Sequence, residues 1–266
     1  MGKIRIIQKN EKKVNVILFI IIIICVVLST LYTQFNIFEL IGNFDAFTSF
    51  LVDDFLPPAI LTGEATTEVL KSILVTIAMA IVSTTLAGIC AFFVSLFGSE
   101  YVSITPRLAK YIRAVATFMR NIPALVWAFI LFSSLGIGTG VGVVALFVTS
   151  FAFMVRAFIE TIDEVSQDCI ESLEVVGASF WQRVFQGILP TCIGGFISWF
   201  LYCFEVNIRS STIVGMVGGG GVGLVLFSYL KGFQYNIAAS IILVIALMVI
   251  LVDLLTGILR KKLVNN

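Results

Sequence analysis

Residues 160–190 read ETIDEVSQDCIESLEVVGASFWQRVFQGILP, and apolar runs flank this polar segment on both sides. Its pattern predicts a helix, a break at Gly177, and a second short helix over 179–187 that ends at Pro190. The second helix has an apolar face that includes Phe180 and a polar opposite face. A short amphipathic helix of this kind suits a groove on a partner protein. A helix that lies against lipid headgroups has the same pattern, so amphipathicity alone leaves both interpretations open.

Outward from this segment, most of the chain is apolar. Of its 266 residues, 59% are hydrophobic and 12% are charged, with a mean hydropathy of +1.08. A soluble domain is nearer half apolar and a quarter charged. Because the apolar residues are concentrated in runs long enough to cross a bilayer, we predict an all-α polytopic membrane protein. A sizeable water-soluble domain is not expected, since no stretch of mixed polarity is long enough.

About six runs are predicted to span the membrane. The first follows a basic amino terminus and is too long for the apolar core of a cleaved secretory signal. The third contains Pro123, where a kink is expected. The spans lie at about 14–31, 69–97, a third run ending near 135, 141–158, 191–211 and 237–255. Residues 1–64 are predicted to form a tail, the first span and an extracytoplasmic connector, and residues 65–266 the main transmembrane domain.

The positions of Lys and Arg predict the orientation. The amino terminus, the loops at 98–113 and 156–190 and the carboxyl terminus hold most of them, whereas the connector at 35–68 holds none. Because Lys and Arg collect in cytoplasmic loops, we expect both termini in the cytoplasm. Lys71 and Lys231 are the exceptions on the outer side.

Several functions lack the residues they need. The chain has no histidine, which removes the commonest general base and metal ligand. Its five cysteines never form a C-x-x-C pair, so they predict neither a metal site nor a disulfide framework. A G-x-x-x-x-G-K-[ST] loop is also missing, so the chain is not itself an ATPase of that class. We predict no catalytic residue, no cofactor and no nucleic-acid partner.

The fifth predicted span carries Glu205 and Arg209, which are spaced to share one helix face and pair. An unpaired charge at mid-bilayer costs roughly 2.5–3.5 kcal/mol on insertion scales. One interpretation is that the pair only locks helix packing. The other is that Arg209 and further basic residues line a path suited to an anion, although Arg156 also fits a topology anchor at the cytoplasmic rim. The candidate path residues are Arg120, Asn121, Arg156, Glu205, Asn207 and Arg209.

Residues 218–223 read GGGGVG and match the pattern G-x-G-x-x-G. We reject a dinucleotide site, because the run follows a membrane helix and no soluble strand precedes it. Glycines at this place suit a re-entrant or gate segment, where the backbone bends and packs closely. The candidate gate residues are Gly218, Gly219, Gly220, Gly221 and Gly223.

The spacing from Glu171 to Gly177 and on to Leu189-Pro190 resembles the E-A-A-x-x-x-G…L-P signature of bacterial ABC-importer permeases. In that family this loop is the coupling helix, which inserts into a cleft on the cytoplasmic ATPase. Ser172 and Leu173 depart from the pattern, which often has small alanines there, and Gly187 stands where isoleucine is common. The resemblance implies a coupling role for Glu171, Glu174, Gly177, Ala178, Ser179, Phe180 and Pro190.

A second set of motifs resembles the phosphonate-transporter permeases within that family, over about residues 65–260. These motifs are FEVNIR at 204–209, STIVG at 211–215, VGGGGVG at 217–223, RNIP at 120–123 and LVWA at 125–128. The resemblance implies the type I ABC importer permease fold and a homodimer in the bacterial cytoplasmic membrane. It also implies two copies of a partner ATPase that binds ATP and Mg, and an extracytoplasmic solute-binding protein. The implied cargo is a phosphonate or related phosphorus oxyanion.

Three alternatives remain. A permease for another solute, such as methionine, shares the coupling loop, but the charged pair of the fifth span favours the phosphonate branch. A secondary carrier needs no ATPase, but the chain has no convincing pair of inverted halves. An intramembrane enzyme would need a clustered catalytic set, which the sequence does not offer.

Overall fold

The computed structural model of the chain describes residues 2–103, 105–165 and 167–264, and every regular element in these ranges is a helix. The chain divides into two units, Met1–Leu56 and Pro57–Asn266. This division falls eight residues before the predicted one at 64/65.

The first unit begins with helix α1, Gly2–Thr33. Its apolar part, Val14–Thr33, is long enough to cross a membrane, and residues 14–29 are exposed along it, as expected for a helix surrounded by lipid. The acidic connector that follows is itself helical, with α2 (Ile37–Gly42), α3 (Phe44–Ser49) and a π-helical turn at Phe50–Phe55. The side chain of Asn36 caps α2 by accepting a hydrogen bond from the Phe38 backbone N–H at 3.0 Å.

The second unit contains the remaining helices. They are α4 (Glu64–Gly98), α5 (Pro106–Arg120), α6 (Ala124–Leu135), α7 (Thr139–Val165), α8 (Gln167–Val175), α9 (Phe180–Gln182), α10 (Leu189–Val214), α11 (Gly221–Lys231) and α12 (Tyr235–Val264), with π-helical turns at Arg183–Ile188 and Gly215–Gly219. Together with α1, the described residues hold five helices long and apolar enough to span a membrane, or six if α5 and α6 form one broken span. The predicted all-α polytopic fold is confirmed.

The third predicted span is broken rather than kinked. The α5 and α6 helices meet at an angle of 86°. Pro123 lacks a backbone N–H, and proline also disfavours helical geometry at the residue before it. These two effects end α5 at Arg120, and Pro123 becomes the residue that starts α6.

The α7 helix lies at the centre of the second unit and packs along α4. Small side chains form the buried face of α4, which includes Ala80, Ser83, Ala87 and Ala91. Ala152 on α7 is fully buried as well. Because lipid is as apolar as a leucine side chain, membrane helices associate through close van der Waals contact, and small residues allow their backbones to approach.

A hydrogen-bonded cluster joins the three central helices. The buried amide of Asn207 on α10 donates to Thr84 Oγ1 on α4 at 2.8 Å and to Ser150 Oγ on α7 at 2.7 Å. An unsatisfied amide would be costly in this environment, since hydrocarbon offers no partner. The cluster therefore fixes the register of α10 against α4 and α7.

One predicted boundary is wrong. Pro190 does not end a helix, because the chain continues through the π-helical turn at 183–188 and places Pro190 in the first turn of α10. Proline is tolerated in a first turn, where its missing N–H is not needed.

The central cluster predicts the effect of Asn207→Ala. We expect this substitution to lower the free energy of unfolding by about 1–2 kcal/mol, because interhelical hydrogen bonds in membranes contribute up to about that much. Thermal unfolding of the purified full chain in mild detergent measures the change. Ser228→Ala is the control, since the exposed Ser228 hydroxyl bonds only within its own helix. Equal unfolding midpoints for the two variants would contradict the assigned role of Asn207.

Candidate functional site

The predicted break in the 160–190 loop is present at Gly177, which has φ +75°. This left-handed conformation strains any residue with a Cβ atom. The Gly177 N–H donates to the Glu174 carbonyl at 2.9 Å, and the Ala178 N–H donates to the Leu173 carbonyl at 3.0 Å. These bonds satisfy the last carbonyls of α8, as in the usual glycine-terminated helix end. The chain therefore turns sharply between α8 and α9.

Beyond the turn, Ser179 begins the next helix with a capping box. Its side chain accepts from the backbone of Gln182, whose side chain in turn accepts from the Ser179 N–H at 2.7 Å. Phe180 then points inward, where its ring stacks on Phe97 of α4 with centroids 6.0 Å apart. The cap and the stacked rings hold the start of this helix against the membrane domain.

An apolar patch is exposed around the break. We define it as Val175, Val176, Trp181 and Phe185, all of which have exposed side chains. The rings of Trp181 and Phe185 stack on each other at 5.9 Å, so the aromatic part of the patch is preformed. Exposed apolar patches of this kind mark surfaces that bind another protein or a membrane.

Two contacts hold α8 against the π-helical turn. Glu174 on α8 and Arg183 on the turn form a short ion pair. Gly187 packs so closely on Leu173 that a Cβ atom there would lie 2.9 Å from Leu173 Cδ1. Glycine at 187 and leucine at 173, which both depart from the permease signature, are therefore complementary in this chain.

A second ionic cluster lies where α4, α5 and α7 come together beside the loop. Asp163 on α7 accepts hydrogen bonds from Ser99 Oγ at 2.7 Å, the Glu100 N–H at 3.1 Å and Arg113 Nη2 at 2.5 Å. Arg113 on α5 also donates from Nε to the Gly98 carbonyl at 2.9 Å. The cluster ties the end of α7, from which the loop departs, to both neighbouring helices.

The structure brings Glu205 and Arg209 together, as predicted. Arg209 Nη2 lies 3.2 Å from Glu205 Oε1. A third member was not predicted, since Arg260 Nη2 on α12 lies 3.3 Å from Glu205 Oε2. The sequence places Arg260 in a basic segment near the carboxyl terminus, so it reads as a topology anchor rather than an ion-pair partner.

The other candidate path residues lie apart from this cluster. Asn207 is turned into the core rather than toward a surface that could line a path. Arg156 pairs with Glu160 on its own helix at 2.9 Å. Arg120 and Asn121 are exposed at the bend between α5 and α6. Within the described residues, neither Arg120 nor Arg156 forms an ion pair with Glu205. The described residues also contain no group of three or more Cys, Asp and Glu that could hold a metal ion.

The glycine segment is a tight turn packed against the bundle. Gly218, Gly220 and Gly221 all have positive φ angles. The Val222 N–H donates to Thr76 Oγ1 on α4 at 2.8 Å, and Gly218 accepts through its carbonyl from the Gly138 N–H at 2.8 Å. The α11 helix that follows has only 11 residues, which is too short to span a bilayer. The tight turn and the short helix are compatible with a re-entrant segment, and both this interpretation and a gate function stay predictions.

Sequence reasoning missed three functional-site candidates: Arg113, Asp163 and Arg260. Each forms its contact with a residue far away in the chain, as the Arg113–Asp163 pair does. No local spacing rule identifies such pairs. Asp163 is one of six acidic residues between 156 and 190, so its position in the sequence does not distinguish it.

Residues 91–265 match the family described as "Binding-protein-dependent transport system inner membrane component". The chain is 31% identical over 189 residues to the phosphate-import permease protein PhnE of Mycolicibacterium smegmatis, an alignment that covers 71% of this chain but only 36% of that protein. It is 32% identical over 192 residues to the phosphite transport system permease protein PtxC of Stutzerimonas stutzeri, with 72% and 70% covered.

The fold is also similar to that of a solved structure. An inward-facing form of the MetNI methionine ABC transporter superposes with a TM-score of 0.67 at 20% identity, covering 76% of this chain and 99% of that one. The similarity confirms the type I importer permease fold. At this identity it carries no information on the transported solute.

The glycine segment predicts a strong effect for Gly223→Ala. A Cβ atom at 223 would lie 1.9 Å from the Thr212 carbonyl oxygen, and backbone atoms cannot move aside as a side chain can. We expect a loss of about 1–3 kcal/mol in the free energy of unfolding, as for overpacked cores. Thermal unfolding in detergent measures it.

Gly194→Ala is the matched control, because nothing lies within 4 Å of a Cβ atom at that position in α10. Alanine favours a helix over glycine by up to about 1 kcal/mol, so this variant should be as stable as the unsubstituted protein or more so. A Gly223→Ala variant that unfolds at the same temperature as Gly194→Ala would refute the close packing described for the segment.

Proposed function

The chain belongs to the family of binding-protein-dependent transport system inner membrane components, the permease subunits of ABC importers, and from this premise we propose that it forms a translocation path for a phosphorus oxyanion. The observation that carries the proposal is the pair of relatives at 31% and 32% identity, which are named as phosphate and phosphite permeases. The chain spans about a third of the length of the mycobacterial relative. A permease for methionine is the alternative, and the relatives support phosphorus over it.

The energy for transport is proposed to come from a separate ATPase that docks on the loop between α7 and α10. The exposed apolar patch of Val175, Val176, Trp181 and Phe185 is the surface that this partner would cover. Beneath the patch, the Glu174–Arg183 ion pair holds the two parts of the loop together, and the Phe97–Phe180 stack connects the loop to α4. A displacement of the patch by the partner would therefore move α4 through this stack and α10 through the turn that leads into it.

The remaining parts of the assembly are proposed by the same reasoning. Two copies of the chain would enclose the path, with both termini in the cytoplasm of a bacterial cell, and a solute-binding protein would deliver the cargo to the outer side. ATP-driven closure of the ATPase dimer would alternate the access of the path between the two sides. The chain itself would make and break no covalent bond, and ATP and Mg would bind to the partner.

Affinity purification of the full chain from its native membrane tests the proposal. We expect an ATPase and a solute-binding protein to co-purify, and the reconstituted assembly to import phosphate, phosphite or a phosphonate into liposomes only with ATP. Titration of the binding protein with these three anions would identify the cargo. Solute movement by the purified chain alone without ATP would instead establish a secondary carrier.

The break at Gly177 predicts the effect of Gly177→Asp. Asp tolerates the left-handed conformation better than most residues, and a side chain at 177 meets no atom within 4 Å, so the loop should keep its shape. The added carboxylate lies beside Val175 and Val176 in the proposed docking surface, where an unpaired charge is costly to bury. We expect at least a tenfold loss of ATP-driven uptake, equivalent to about 1.4 kcal/mol of docking energy, with normal membrane insertion.

Gly177→Asn is the control, because Asn has a similar shape and a similar tolerance of positive φ but no charge. It should keep most of the transport activity. The readouts are uptake into proteoliposomes and the amount of ATPase that co-purifies. Normal transport by Gly177→Asp would show that the loop is not the coupling element.

A further inference from the structure

Glu205 is held between two guanidinium groups. Its Oε1 atom pairs with Arg209 on the next turn of α10, and its Oε2 atom pairs with Arg260 on α12. The Glu205 side chain is only 12% exposed, whereas the side chains of Arg260 and Arg209 are 36% and 59% exposed. Both carboxylate oxygens are therefore occupied, and the cluster carries one positive charge in excess.

The excess charge is most accessible on Arg209. A guanidinium group has five N–H donors, and Arg209 gives one hydrogen bond to Glu205. Arg209 lies within a helix that is apolar enough to span the membrane. A charged side chain exposed to hydrocarbon costs several kcal/mol of insertion free energy. Such residues therefore face a water-filled cavity or a partner of opposite charge.

We propose that Arg209 contacts the transported oxyanion and that Arg260 is a positioning residue, which occupies Glu205 so that Arg209 stays available. This inference rests on the proposed function. A guanidinium fork matches two oxygens of a tetrahedral oxyanion such as phosphate, phosphite or a phosphonate. Without Arg260, both oxygens of Glu205 would be free to bind Arg209, and the excess positive charge would be lost.

The alternative partner for the Arg209 guanidinium is the carboxylate of Asp253 in a second copy of the chain. Asp253 is exposed on α12, two helical turns before Arg260. The α10 and α12 helices run in opposite directions, since Glu205 meets Arg260 while the later residue Ile208 clusters with the earlier residue Met248. Arg209 and Asp253 are therefore displaced to the same side of the Glu205–Arg260 pair, and a two-fold axis along the membrane normal preserves depth. The net positive charge of the cluster favours a small anion. The experiment below distinguishes the transported oxyanion from Asp253 of a second copy as the partner of Arg209.

The test measures ATP-driven uptake of radiolabelled phosphate and phosphite by the full chain, reconstituted in liposomes with its ATPase and solute-binding protein. Arg209→Gln and Arg260→Gln should each lower uptake at low solute concentration about tenfold, as expected for one charge-assisted hydrogen bond. The double variant Arg260→Gln with Glu205→Gln should recover most of the uptake, because it frees Arg209 again. Arg107→Gln, on the exposed first turn of α5, is the control for the loss of one charge and should leave uptake unchanged.

The pattern of uptake across these variants separates this role from a structural one. If the ion pairs only hold α12 against α10, Arg209→Gln should transport normally, and the double variant should be no better than Arg260→Gln; either result overturns the inference. If Asp253→Asn impairs uptake as Arg209→Gln does, and the charge exchange Arg209→Asp with Asp253→Arg restores it, Arg209 pairs with a second copy instead. If the unsubstituted assembly imports no phosphorus oxyanion, the proposed function fails as well.

Discussion

Hydrocarbon offers no hydrogen-bond partner, and this constraint governs the arrangement of the polar residues in the bundle. The amide of Asn207 satisfies it by joining α10 to α4 and α7 through Thr84 and Ser150. Because this buried amide has a partner on each neighbouring helix, sliding any of the three helices would leave a polar group unpaired. The apolar contacts around it are less directional, so the cluster contributes register more than overall stability.

The same constraint shapes the two ends of the bundle. At one end, Asp163 accepts hydrogen bonds from Ser99, Glu100 and Arg113, so the helix from which the 160–190 loop departs is fixed to its neighbours. At the other, the strongly bent backbone of the glycine segment is satisfied by Thr76 and by the turn between α6 and α7. Under the proposed function, the Asp163 contacts would transmit force from the ATPase, and the Thr76 contact would hold the glycine segment in its closed position.

The charged residues of α10 show how one surplus cation is accommodated. Glu205 is shielded and has a guanidinium partner at each oxygen, whereas the Arg209 side chain remains exposed. The third member, Arg260, gives the cluster a net positive charge, and under the proposed function this charge would favour anionic solutes.

The sequence by itself determined the membrane class and the break at Gly177, because hydrophobic length and local backbone rules act within a few residues of each position, and its motifs indicated the family. It did not determine the partner of Glu205, the burial of Asn207 or the role of Asp163. It also gave a kink at Pro123 where the structure has a right-angled break. Those features depend on which helices become neighbours, and residues such as 205 and 260 are brought together only by the packing of the complete bundle.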